Sequence, residues 1–292
     1  MVTSILDDIR NTFKWGNMIS RIILINVFVY IVINLINVFD ANTGFAQLLI
    51  HKLSIVSDPL KLLLQLWAVI THMFLHVGFW HILWNMLLLY WFGRIVGDLL
   101  GDQRILPLYI LGGLSGAVFF IIWDQFLPGG SGVAWAYGAS AAVWAIIMAT
   151  AMTAPDYIFN LILIGPVRIK YIALAMFLLD LISTGNNVNT GGFFGHMGGA
   201  FFGLFYVYML RKGTDLTAHL QWNPDARPKR RKTSRKKFKV YRNTEEDKVQ
   251  RPSEGFSEQK ELDRILDKIK AEGYDQLTSE EKDFLYQASK KK

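Results

Sequence analysis

WAYGASAAVWAIIMATAMT, from Trp135 to Thr153, carries no charge and is apolar enough to read as a membrane helix. Ser140 lies inside it, in a run of small residues that begins at Gly138. A second apolar stretch further on holds His196, framed by GHMGG over residues 195–199. A hydroxyl and an imidazole are costly inside a span, so a functional site is the default reading of both. Serine and histidine together are also the minimum equipment of nucleophilic acyl transfer.

The rest of the chain divides around these two stretches. Of its 292 residues, 52% are hydrophobic, yet the two halves differ sharply. Up to about Leu210 the chain has few charges and no glutamate; the first is Glu245. From Arg211 onward it is rich in Lys, Arg, Glu and Asp, so the net charge of +7 describes neither half. There is no cysteine, which excludes disulfides, a thiolate nucleophile and Cys-ligated metal. Asp7, Asp8, Arg10 and Lys14 give a polar lead unlike a secretory n-region, so the run from about 19 to 39 is expected to be a retained helix.

Six spans are expected, at about 19–39, 80–99, 105–126, 135–153, 168–184 and 192–211, giving an all-α polytopic membrane protein. Residues 40–79 are half apolar and are expected to lie partly inserted at the interface; 157–165 is apolar but too short to cross. Arg10, Lys14, Arg94, Arg104, Arg168, Lys170, Arg211 and Lys212 fall on one side of this topology, and Lys52 and Lys61 on the other. The positive-inside bias then puts both termini in the cytoplasm. Ser140, His196, His81 and Asn85 consequently lie near the outer ends of three spans, at similar depth.

Gly191, Gly195, Gly199 and Gly203 recur four residues apart, which makes a smooth face for close helix approach. A Ser–His hydrogen bond of ~2.6–3.2 Å between two helices needs such approach. His81 and Asn85, at i and i+4, share a helix face, and both can donate. Aimed at an oxyanion together with the Ser140 N–H, such donors are each worth ~2.7–4 kcal/mol in the transition state. His72 and His76 are also four apart, but no Glu lies between them, so the HExxH metal pattern is absent and a structural role is expected. Asp180 is the one carboxylate clearly within a span, with Asp124 near an end. An aspartyl mechanism needs two close together, so a Ser–His dyad is expected, with His196 oriented by packing. No metal or cofactor is called for.

The series HVGFWHILWN over 76–85, GGLSG over 112–116, Gly138-Ala-Ser140 and GHMGG over 195–199 resembles the rhomboid intramembrane serine proteases, over about residues 65–211. With the first span included, the chain looks like the six-helix bacterial form. The resemblance implies a serine endopeptidase of the bacterial inner membrane that cleaves in or near transmembrane segments of other membrane proteins. Ser140 would be the nucleophile and His196 the general base, then acid. His81 and Asn85 would complete the oxyanion hole, and Trp144 would stack on the histidine. Gly138, Gly195 and Gly199 would serve helix packing. Ala141 departs from the usual Gly-x-Ser-Gly, and an altered rate is expected. The alternative is a proteolytically inactive rhomboid-like protein that binds transmembrane clients; nothing resembles the paired inverted halves of a transporter.

The Gly- and Asn-rich loops 127–133 and 184–191 are flexible enough to act as a cap. Residues 212–255 form a basic linker, whose run Arg227–Arg242 suits anionic lipid at ~1 kcal/mol per basic residue better than nucleic acid. In 256–292, Leu262, Ile265, Leu266 and Ile269 share one helical face, Gly273 is a stop, and Thr278–Glu281 is a capping box. A small helical hairpin is expected there.

Overall fold

Large apolar side chains stand exposed along most of the long helices, among them Phe28, Trp80, Leu179 and Ile182. In water such continuous apolar faces would drive association; in lipid they are the solvated surface, and helices satisfy their own backbone groups there. The chain is an integral membrane protein. The computed structural model describes residues 12, 16–40, 43–161, 164–184, 190–221 and 254–290, which fall in two units, 1–229 and 230–292.

The first unit runs α1 (Met18–Phe39), α2 (Phe45–Leu53), β1 (Ile55–Val56), α3 (Pro59–Leu63), α4 (Ala68–Thr71), α5 (Phe79–Leu100), α6 (Ile105–Phe126), β2 (Trp135–Ala136), α7 (Ser140–Thr153), β3 (Ile158–Leu161), β4 (Gly165–Arg168), α8 (Ile169–Thr184) and α9 (Thr190–Arg211). Among the described residues, three helical stretches are long and apolar enough to cross a membrane alone: 18–39, 102–126 and 190–211. A fourth is reached if 68–74 and 79–100, bent by 91°, count as one broken span. At 14 residues, α7 rises only ~21 Å. It is nevertheless the centre of the unit, with Ala142 through Ile147, Ala149 and Thr150 all buried.

Three differences from the sequence reading have local causes. The fourth helix starts at Ser140 rather than near 135, because Trp135 and Ala136 are extended and pair antiparallel with Val56 and Ile55. Residues 158–161 and 165–168 form a β-hairpin, their backbone groups paired within the ladder. Residues 43–79 break into short elements anchored by their own caps: Asp58 receives the N–H groups of Leu60 and Lys61.

Glycine sets how closely the helices around α7 approach. A Cβ on Gly199 or Gly203 of α9 would overlap the carbonyl oxygens of Ala141 and Ala145. On Gly116 of α6 it would meet the Ala141 methyl, and on Gly198 the Ser115 carbonyl at 2.6 Å. Ala141, the departure from the family pattern, thus has its methyl group accommodated by Gly116. Gly195 differs from its neighbours in the stripe, since a Cβ there would meet only the Gly116 carbonyl oxygen, at 3.9 Å. At the periphery, Asn26 of α1 is buried and donates to Tyr109, whose hydroxyl donates to the Met73 carbonyl at 2.7 Å.

The second unit contains α10 (Glu254–Glu272) and α11 (Ser279–Lys290). Gly273 ends α10 with φ 86°, a conformation that favours glycine. The Thr278 N–H donates to Glu281 and the Glu281 N–H to Thr278 Oγ, a reciprocal capping box. Ile265 is buried, whereas Leu266 is largely exposed despite the shared periodicity. The basic run 227–242 and the loop residues 185–189 lie outside the described residues.

Candidate functional site

The turn that carries the nucleophile candidate is held by hydrogen bonds from the 72–76 segment. The Gly138 N–H donates to the His72 carbonyl at 2.8 Å, and the Ala139 N–H to His76 Nε2 at 3.3 Å. Gly138 takes φ 124°. A Cβ there would lie 2.7 Å from Cε1 of the His81 ring. Gly138 is therefore a turn residue against an imidazole, not the helix-packing residue expected from the sequence. Both its dihedral and its contact require glycine.

Ser140 is the first residue of α7, and the first intrahelical bond runs from Val143 N to the Ala139 carbonyl at 2.9 Å. The N–H groups of Ser140, Ala141 and Ala142 therefore have no intrahelical acceptor. They present the positive end of the helix dipole beside the hydroxyl. Ser140 lines a cavity of about 1160 Å³ shared by α5, α7, α8 and α9, with His81, Asn85, Trp144, Asp180 and His196 also on its walls.

His196 reaches the cavity from α9. Its Nδ1 donates to Asp180 Oδ2 of α8 at 2.7 Å, the carboxylate being able only to accept. In the neutral ring this leaves the lone pair on Nε2. Trp144 meets the His196 ring at a centroid distance of 6.2 Å and 36°, and packs edge-on to Phe177 at 5.9 Å. The contact with His196 is tilted rather than stacked. Ser140 and His196 share the cavity without a direct hydrogen bond between them; catalytic hydrogen bonds are often long in the absence of substrate.

On α5, Asn85 uses one amide hydrogen on the His81 carbonyl at 2.8 Å, leaving the other for the cavity. The His81 ring sits edge-on to His76 at 4.9 Å and is tilted against Tyr137. Among the described residues no group of three His, Cys, Asp or Glu could hold a metal ion.

Reading the sequence missed two parts of this arrangement. From sequence alone Asp180 serves only to exclude an aspartyl mechanism, whereas the structure gives His196 a carboxylate partner as well as packing. The signal was present, since an intramembrane carboxylate needs a partner. The second is Asp124, buried at the end of α6, which accepts from Ser57 Oγ at 2.5 Å and from Ser131 N and Oγ at 2.8 and 3.1 Å. Ser57 Oγ in turn receives the Ala134 N–H at 2.8 Å. This carboxylate ties loop 127–134 to β1, and so holds β2 and the Ser140 turn.

The rhomboid domain family model matches residues 63–213, more than half of the chain, and the chain belongs to that family. "RHOMBOID-like protein 12, mitochondrial" of Arabidopsis thaliana is 31% identical over 161 residues, covering 51% of this chain and 48% of that protein. The match thus spans about half of the relative's length. Residues 246–291 match a family of unknown function, DUF6576.

Proposed function

We propose that this protein is an intramembrane serine endopeptidase that hydrolyses peptide bonds in or near transmembrane segments of other membrane proteins. The observation that carries the proposal is the convergence of Ser140, His196, His81 and Asn85 on one cavity at the N-terminus of α7. Ser140 Oγ attacks the substrate carbonyl carbon while His196 Nε2 takes its proton. The oxyanion so formed is met by the Ser140 N–H, the free Asn85 amide hydrogen and the His81 ring. The C–N bond then breaks, the leaving amine takes the proton from Nε2, and water hydrolyses the acyl-enzyme by the same steps. A helical substrate hides its carbonyls in internal hydrogen bonds, so segments that unwind readily are the preferred ones.

The test is labelling of the detergent-purified protein with a fluorophosphonate probe. Wild type is expected to label, and Ser140→Ala and His196→Ala to lose the signal. A folded wild type that resists both this probe and a second serine-reactive chemotype would favour the non-proteolytic client-binding reading.

The same proposal takes α1, α5, α6, α7, α8 and α9 as six spans with both termini cytoplasmic, as the distribution of Lys and Arg supports. Because the chain has no cysteine, single cysteines report sidedness directly. Leu127→Cys and Lys212→Cys are expected to react with impermeant maleimide from opposite faces; reaction from one face would remove this topology.

A further inference from the structure

We infer that Asp180 is the positioning residue of the catalytic histidine, adding a third member to the Ser140–His196 pair. The inference rests on the protease reading above for its kinetic consequence, but its structural part stands on separate ground. Asp180 lies on α8 among the exposed apolar side chains of Leu178, Leu179, Leu181 and Ile182, with Leu179 beside it on the cavity wall. An ionised carboxylate in such surroundings is retained only where something holds it. The His196 Nδ1 bond at 2.7 Å is a short contact of that kind, and both side chains are mostly sheltered, at 14% and 21% exposure.

The bond has two consequences for the chemistry. It places the imidazole proton on Nδ1, leaving Nε2 free to accept the proton of Ser140 Oγ. It also sets a negative charge beside the ring as that ring becomes an imidazolium, which stabilises the transition state more than the ground state. No proton moves to Asp180; the Nδ1–H stays on the ring throughout. Packing by Trp144 and the α9 backbone can hold the ring in place, but neither can choose between its two tautomers. Only an acceptor opposite one nitrogen does that, and Asp180 is that acceptor for Nδ1.

Full-length protein in detergent, as wild type and as Asp180→Ala, Asp180→Asn and Asp180→Glu, tests this with three readouts: cleavage kinetics on a fluorogenic transmembrane peptide, thermal unfolding, and 15N NMR of histidine-labelled protein with His196→Gln for assignment. The expected result is a kcat about 10²-fold lower in Asp180→Ala and Asp180→Asn, with KM within about twofold and melting temperature unchanged, and partial recovery in Asp180→Glu. The His196 15N shifts are expected to report an Nδ1-protonated ring in wild type that becomes a tautomer mixture in Asp180→Ala. A kcat within threefold of wild type in Asp180→Ala would overturn the positioning role, as would a loss explained by a lower melting temperature and not restored by Glu. Inactive wild type would remove the protease reading alone. The NMR then decides the contact: an Nε2-protonated His196 in wild type overturns it, and an Nδ1-protonated ring lost in Asp180→Ala sustains it.

Discussion

Ser140 is held from two directions by opposite devices. On its C-terminal side, α7 is gripped by α6 and α9 through missing side chains, with Gly116, Gly199 and Gly203 letting backbones touch. On its N-terminal side, the turn 134–139 hangs on polar groups: His72, His76, Ser57 and Asp124. The first device is apolar and periodic. It tolerates lipid because small residues pack by van der Waals contact and expose nothing polar. The second is irregular, and inside a membrane protein it survives only because every loop N–H it uses finds a specific acceptor. The candidate nucleophile sits where a helix bundle meets a hydrogen-bonded loop.

The difference can be broken from either side. The largest effect is expected from Gly199→Val, whose side chain would overlap the Ala141 carbonyl. Backbone cannot yield as a side chain can, so a loss of about 3 kcal/mol or more is expected, read as a lower melting temperature in detergent. A wild-type melting curve would mean that α7 and α9 are not packed as described. Asp124→Ala comes next, leaving Ser57 Oγ and the Ser131 N–H without their acceptor. It should destabilise by about 2–3 kcal/mol, and protease cleavage within 127–134 should accelerate with it. If that loop stays resistant, the carboxylate is not what ties it down.

Gly138→Ala sharpens the contrast. Its φ of 124° carries strain of about 1–3 kcal/mol for an L residue, and the new methyl would push the His81 ring. Fluorophosphonate labelling is therefore expected to fall more than thermal stability does; a proportional fall in both would make Gly138 simply a folding residue. The smallest effect is expected where neither device operates, in the 254–290 hairpin. The Thr278 N–H, followed by the Lys268 ammonium, holds the Glu281 carboxyl below its ordinary value of 4.5. The stabilisation it gives is thus complete above that value and is lost as pH falls through the lower folded one. Amide exchange corrected for intrinsic rate should show α11 protection declining below pH 4.5 in wild type and already reduced at pH 7 in Glu281→Ala, which removes the acceptor of the Thr278 N–H. Equal protection in the two proteins at pH 7 would discount the capping box.

Much of the fold was legible before any coordinates. Helices 18–39, 79–100, 105–126 and 190–211 lie within two residues of the ranges expected from hydropathy, because a continuous apolar run has few ways to satisfy its backbone in lipid. The glycine stripe announced the α9 contact by its period, and Gly273 and Thr278–Glu281 announced the hairpin through local chemistry. Trp135 and Ala136 misled because a two-residue strand paired with Val56 and Ile55 leaves no periodic trace, and apolar residues serve either structure.

By itself, then, the sequence determined the membrane environment, the principal helices, the small-residue face and the candidates Ser140, His196, His81 and Asn85. All of these follow from composition or from spacing within one element. The tertiary structure decided that Asp180 faces His196 Nδ1, that Asp124 closes on Ser57 and Ser131, and that Gly138 turns the chain beneath His81. Hydrogen bonds between distant segments depend on the direction of two side chains at once. Neither periodicity nor hydropathy carries that information, and only the folded chain supplies it.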